Sequence, residues 1–463
     1  MRLKFLDSFR GLTIFAMILS GSIAFNGVLP SFMYHAQVPP PLHKFMPNIP
    51  GITWVDLVFP FFLFAMGVSI PISLQAKLKK NEKRLSIITD VVVRGIKLAW
   101  FAFFIQLIKQ RVVDGLNYET SLYILISFGI AFLQYTSFAK NILQKHSSTF
   151  TINKYLLVII LFIISVVWFT LVFPYLTGTP FSFTHCDIII MVLANVSVTG
   201  TIIYYFTNTK KLTRFIVLLL IIAFVINGKY GGGYMQTIYN YKFFNALPIF
   251  NFEFHKYLLI VLPATYIGEI LLKPQQTFKT LLIVNIIIAT MQVLIIIVGV
   301  IMLYLRLTDN YIYWLSMATA ALLITLYLNN CGYKQIIYFG LAMLWLGILI
   351  EPLQGGIKKD SATFSYFFVT TGFACLALHA FYILQNQLKL STGFFNIVGQ
   401  NALGAYEMGK FIVYPIMVFT STNVIFNTMK HNAWEGFLRG FVYTLLACSI
   451  AWIFSKKKLI FKA

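Results

Sequence analysis

His35 and His43 precede Asp56 in a stretch that runs from Tyr34-His35-Ala36-Gln37 through Pro39-Pro40-Pro41 to Gly51-Ile52-Thr53-Trp54-Val55-Asp56-Leu57-Val58-Phe59-Pro60. Imidazole is the side chain best suited to move a proton or an acyl group near neutral pH. A carboxylate beside it would hold its tautomer and stabilise its cation, as in a triad. Taken singly, each residue has a plainer reading. His35 is then a loop histidine, and Asp56 an N-cap near Trp54 where an apolar helix begins.

Other charges fall inside apolar runs, where each is costly and marks a candidate site. Asp90, Arg94 and Lys97 recur at i, i+4 and i+7, on one helical face. They read either as a cationic pocket for a phosphate-bearing ligand, with Asp90 orienting Arg94, or as a helix end reaching lipid headgroups. Arg10 stands one turn beyond Asp7 in Leu6-Asp7-Ser8-Phe9-Arg10-Gly11. Asp7 is a candidate N-cap, and Arg10 a candidate buried cation. Glu407 and Lys410 follow Gly399-Gln400-Asn401-Ala402-Leu403-Gly404-Ala405-Tyr406. An intramembrane pair at i, i+3 either lines a cavity or locks helices together. Glu269 and His379 read as packing residues. The chain has no Gly-rich phosphate loop, G-x-S-x-G elbow or H-E-x-x-H pair, and its four scattered cysteines form no C-x-x-C, so metal chemistry and a disulfide framework are disfavoured.

The elements that must position these residues follow from composition. Of 463 residues, 59% are hydrophobic and 11% charged, and mean hydropathy is +0.80; a soluble domain carries about a quarter charged residues. The chain reads as one all-α polytopic membrane bundle over residues 1–463. Its spans fall near 9–29, 54–75, 87–108, 119–138, 155–175, 187–207, 214–228, 256–272, 280–304, 312–330, 335–352, 364–385, 394–419 and 436–455. That makes fourteen, or as few as eleven if short runs merge or re-enter. The first run lacks an obvious small-residue cleavage site and reads as a span. The net charge of +22 comes from short basic loops, the pattern of a membrane protein rather than a nucleic-acid binder. Arg2, Lys4, Lys77–Arg84, Lys140, Lys145, Lys154, Lys210, Lys211, Arg214, Lys273, Lys279 and Lys456–Lys462 then share one side. That side is the cytoplasm, with both termini in it. The loop 30–53 faces outward, as does the Gly- and Tyr-rich loop 227–255, a lid, a sugar-binding surface or an ordinary interfacial loop. Lys358, Lys359 and Asp360 fall outside against the trend, as an exception or as a sign of a miscounted span.

Three pieces of this sequence resemble the family of transmembrane acetyltransferases typified by heparan-alpha-glucosaminide N-acetyltransferase. They are Leu6-Asp7-Ser8-Phe9-Arg10-Gly11-Leu12-Thr13; His35-Ala36 with Gly51-Ile52-Thr53 and Asp56-Leu57-Val58-Phe59-Pro60; and Gly399-Gln400-Asn401-Ala402 with Tyr406, preceded by Ser365-Tyr366. The resemblance implies an inner-membrane enzyme of bacterial type, and a homodimer. It would take acetyl groups from cytoplasmic acetyl-CoA to an amino sugar or related glycan on the far side. His35 matches the family's active histidine, as base or acyl carrier, with Asp56 its holder and His43 the second candidate. Asn401 would hydrogen-bond the developing oxyanion. Arg10, Arg94 and Lys97 would meet the phosphates of acetyl-CoA, and Glu407 and Lys410 the acceptor. The sequence departs from the family where a first-helix asparagine and a penultimate-helix histidine fall near Gly21 and Gly409. A transporter for an amino sugar or cell-wall fragment fits the buried charges as well, and acetyl-CoA binding separates the two.

Overall fold

The computed structural model describes residues 2–139, 154–241, 251–273, 281–329 and 331–461. Lys140, Lys145, Lys279 and Lys462, and part of the loop 227–255, lie outside these residues. Among them, eleven helices are long and apolar enough to cross a membrane: α2 (Trp54–Leu78), α3 (Arg84–Asp114), α5 (Leu156–Thr177), α6 (Ile188–Thr207), α7 (Lys211–Gly231), α8 (Phe252–Leu272), α9 (Leu282–Tyr304), α10 (Thr308–Leu328), α12 (Phe364–Gln387), α13 (Ala402–Phe419) and α14 (Ala433–Lys456). Three more, α1 (Lys4–Ser20), α4 (Tyr118–Tyr135) and α11 (Lys334–Ile350), are shorter or more polar and occupy the remaining runs. The chain is a multi-pass membrane protein, and its fold is an all-helical bundle. Helices satisfy their own backbone groups, which the hydrocarbon requires.

Burial separates the centre from the rim. In α12 83% of the spanning window is buried, whereas in α5 and α7 17% is. The rim helices turn Leu219, Leu220, Ile283 and Ile297 outward, the surface a bilayer covers. The centre is α12 with α1, α2, α8 and α11 packed around it. Several pairs of helices meet backbone to backbone, two of them around the sites described below. A Cβ on Gly11 of α1 would collide with the Phe395 carbonyl, and one on Gly399 with the Asp7 carbonyl. A Cβ on Gly67 of α2 would lie 2.6 Å from the Val261 carbonyl of α8. Small residues permit such approach where hydrophobic force is absent.

Three boundaries differ from the sequence reading. The first span is α1, Lys4–Ser20, not 9–29, because Gly21 ends it and the next residues form a turn. Its N-cap is Leu3, so Asp7 is a buried first-turn residue rather than the cap. The run 394–419 is broken: a short helix Gly393–Gln400 stops at Asn401 before α13 begins. Loop contacts follow the alternation of fourteen helices. Gly51 N–H donates to the Ile357 carbonyl at 2.7 Å, and Asn26 to the Lys430 carbonyl at 2.7 Å. At the other end, Asn396 donates to the Lys4 carbonyl at 2.8 Å. Lys358–Asp360 thus belong with the loop after α1.

Candidate functional site

The sequence Thr53-Trp54-Val55-Asp56 starts α2 with a capping box. Thr53 is the N-cap, and Asp56 is the third helical residue reaching back to it. Asp56 is therefore not the N-cap. Its Oδ2 accepts from Thr53 N (2.9 Å), Thr53 Oγ1 (3.3 Å) and Ala36 N (3.2 Å), and its Oδ1 faces His35 Nδ1 at 2.7 Å. Tyr366 Oη of α12 donates to the Asp56 carbonyl at 2.8 Å, fixing this turn to the central helix. Asp56 is 1% exposed, while the His35 side chain is 35% exposed. With Nδ1–H donated to the carboxylate, Nε2 carries the ring's lone pair.

A second loop completes the dyad. Glu351 closes α11 and accepts from Arg306 at 2.5 Å and from Ile357 N at 3.1 Å. Gln37 exchanges hydrogen bonds with the Asp360 backbone, 2.9 Å from its N–H and 3.3 Å to its carbonyl. Lys229 of α7 donates to the carbonyls of Ser361 (2.5 Å) and Ala362 (2.7 Å). So clamped, the loop sets Lys359 Nζ 3.1 Å from His35 Nδ1 and 3.3 Å from Nε2.

His35 and Lys359 line a cavity of about 710 Å³ whose apolar wall includes Met17, Ile18, Val58 and Phe59. Lys109, Tyr406, Lys410, Lys430 and Arg439 line it too. Lys109 of α3 is paired with Asp187, the N-cap of α6, and lies 3.3 Å from Tyr406 Oη. The Tyr406 ring has Lys109 and Lys410 at 5.3 and 5.2 Å from its centroid. Lys410 sits on a π-helical turn, Gly409–Val413, within α13. Such turns rotate side chains out of the helical register. Glu407 is buried behind Lys410, 4.0 Å from it, so the pair meets the cavity through the lysine alone.

Two candidates sit elsewhere. The His43 ring packs edge-on against Tyr34 and Phe25, at 4.5 and 5.6 Å between centroids, and does not line the cavity. Asn401 is fully buried at the joint before α13. Its Oδ1 accepts from Phe461 N at 3.0 Å, and its Nδ2 faces the Leu459 carbonyl at 3.4 Å. The amide ties down the C-terminal segment rather than facing His35, so it is not an oxyanion donor there.

At the opposite end lies a cavity of about 550 Å³ lined by Arg10, Ser69, Ser73, Lys77, Asp90 and Arg94, with Gly399 and Gln400. Arg10 donates to Asp7 (3.1 Å) and Ser69 Oγ (2.7 Å); Arg2 holds the other Asp7 oxygen at 2.7 Å. Asp90 pairs with Lys77 across the α2–α3 turn at 2.5 Å, so its partner is not Arg94. Lys97 is not in the lining. Glu269 pairs with Arg214 at 2.6 Å, and buried His379 hydrogen-bonds Gln292 and the Gly332 carbonyl at 2.9 Å each; both are packing residues.

The linings of the two cavities approach each other along two helices. On α2, Phe59 lines one and Phe62 the other; on α13, Tyr406 and Leu403 do the same. Three residues along a helix span about 4.5 Å, so one turn of each helix separates the two ends.

Sequence reasoning missed Lys359, Lys109, Lys430 and Arg439 as site residues. The signal was present, since they fall on the side where the lysine pattern expects few cations, and Lys359 was noted for that reason. No curated protein matches the chain. Over residues 2–271, from α1 into α8 and including Arg10, His35, Asp56, Arg94 and Lys109, the chain matches the family described as Domain of unknown function (DUF5009), and it belongs to that family.

Proposed function

We propose that this protein is a transmembrane acyltransferase. Acetyl-CoA binds from the cytoplasm at the Arg10–Arg94 cavity, and the acetyl group passes to an amino sugar or related glycan held at the His35 cavity on the outer side. The observation that carries this reading is the one-turn septum between a cavity with arginines for phosphates and a cavity with a His–Asp dyad. A pantetheine arm can reach through so short a barrier.

In the transfer, the acceptor nitrogen or hydroxyl attacks the thioester carbonyl. His35 Nε2 takes its proton, the C–S bond breaks as the new C–N or C–O bond forms, and the CoA thiolate receives the proton back. The same lone pair would instead attack first if His35 carries the acetyl group. Asp56 stabilises the imidazolium in either route. Lys359, the cation nearest His35, stabilises the developing oxyanion. Both termini and the loop 79–83 are cytoplasmic in this reading, and the membrane is a bacterial inner membrane.

The test is transfer from labelled acetyl-CoA to glucosamine-type acceptors by purified protein in vesicles. A hydroxylamine-labile acetyl label on the protein, trapped at neutral pH and lost in His35→Ala, would select the acyl-carrier route. The paired cavities are also what a transporter of an amino sugar needs. Titration calorimetry decides: absence of acetyl-CoA and CoA binding to folded protein sinks the acyltransferase reading and leaves the transporter.

A further inference from the structure

The His35 cavity holds more positive charge than a proton-transfer site needs. Five cations line it, Lys109, Lys359, Lys410, Lys430 and Arg439, and no carboxylate does. Three carboxylates lie behind the wall, Asp56, Asp187 and Glu407. Beyond Lys359, which sits against His35, Lys430 and Arg439 pair with no carboxylate among the described residues and leave a local surplus of positive charge.

The surplus lies away from the dyad. Tyr414, Phe426 and Tyr443 form an aromatic wall, with centroids 6.5 Å apart for Tyr414–Phe426 and 5.6 Å for Phe426–Tyr443. The Arg439 guanidinium lies 4.2 Å from the Phe426 centroid. Its Nε is buried and has no hydrogen-bond partner among the described residues. Neither Arg439 nor Lys430 pairs with a carboxylate among the described residues. Asn26 holds the Lys430 backbone to the loop after α1, so that lysine is anchored at the mouth. Gly409 abuts Tyr443, which brings Lys410 to the same wall. Arg439 is half-buried against this apolar wall with its Nε unpaired among the described residues, and an anion would offset its lost hydration, with the exposed Lys430 adding charge beside it.

We propose that Lys410, Lys430 and Arg439 form an anion subsite, and that the acceptor carries a phosphate or carboxylate group there while its nucleophile faces His35. The proposal rests on the acyltransferase reading for the word acceptor, but the subsite stands on its own charges. Arginine's planar fork binds two oxygens of either group, and the two lysines supply point charges.

The experiment measures binding and acetylation of three probes by full-length protein in detergent: glucosamine, glucosamine 6-phosphate, and muramic acid for the carboxylate. At least one anionic probe is expected to bind about tenfold or more tightly than glucosamine, with the preference shrinking as salt is raised. The phosphate and carboxylate arms show which group fits. In Lys430→Gln/Arg439→Gln the ratio of anionic to neutral binding should fall toward one. Equal binding of all three by wild type overturns the subsite, even if all are acetylated and the acyltransferase reading holds. A preference retained in the double variant overturns it also. An anionic probe that binds tightly yet is never acetylated supports the subsite and counts against the acyltransferase. The wild-type ratio and its salt dependence decide the matter even if the variant fails to fold.

Discussion

The cavity at the Arg10 end and the cavity at the His35 end draw on the same helices, α1, α2 and α13, and both are cationic, but their charges are held differently. At the Arg10 end two of the lining cations, Arg10 and Lys77, are tied into the protein, while Arg94 pairs with no carboxylate among the described residues. Arg10 is shared by Asp7 and Ser69, and Lys77 by Asp90 and Glu82. Their positions follow the ordinary bias of lysine and arginine toward one side. At the His35 end that bias is broken, and Lys359, Lys430 and Arg439 stand without carboxylates among the described residues. A protein tolerates charge against the topological bias where a ligand or a reaction uses it. The first end suits a ligand that completes an existing network, the second one that supplies the missing charge.

The sharpest break between the two ends is His35→Ala. Transfer should fall by about 10²–10⁴ while calorimetric acetyl-CoA affinity stays near wild type, because His35 does not line the Arg10 cavity. Asp56→Asn should follow it in rate, whereas His43→Ala should cost little. Unchanged transfer in His35→Ala would make the dyad a structural pair.

The complementary variant acts at the other end. Arg10→Ala/Arg94→Ala should weaken acetyl-CoA binding by about tenfold or more, since charge-assisted phosphate contacts are lost. Binding unchanged by calorimetry would move the CoA site away from this cavity.

Lys359→Gln tests what links the dyad to its cavity. Turnover should drop by roughly tenfold, less than a lost oxyanion donor of a tight hole, with acetyl-CoA affinity unaffected. A drop no larger than that of a remote surface lysine would leave Lys359 as a loop residue.

The smallest effect on catalysis is expected from Asn401→Ala. Losing two contacts to the C-terminal segment should cost about 1–3 kcal/mol of stability, read as a lower melting temperature, with turnover per folded molecule retained. A selective loss of turnover would restore Asn401 to the catalytic set. Sidedness is checked in intact cells: a cysteine at Ser31 should react with an impermeant maleimide and one at Asn81 should not.

Much of the bundle was legible from apolar runs. Eleven of the runs are helices long and apolar enough to span among the described residues, because a span must satisfy its own backbone over a length the bilayer dictates. The misses lie where a polar residue can serve in two ways. Asp7 looked like a cap and is a buried clamp for Arg2 and Arg10. Asn401 looked like an oxyanion donor and is a tether. Lys97 shares a spacing with Asp90 and Arg94, but spacing on one helix does not say which neighbour faces it.

By itself the amino-acid order determined the class of protein and the apolar runs, both properties of local composition. The meeting of His35 with Asp56 was legible from a motif, as a resemblance. Only the tertiary structure decided that Lys359, from a loop more than 300 residues along the chain, reaches the same imidazole. It alone set one helical turn between the cavities, and set Lys109, Lys410, Lys430 and Arg439 around one space. These depend on which faces of α1, α2, α3, α13 and α14 pack together. Close backbone contact at Gly11 and Gly399 fixes such packing, and no local pattern encodes it.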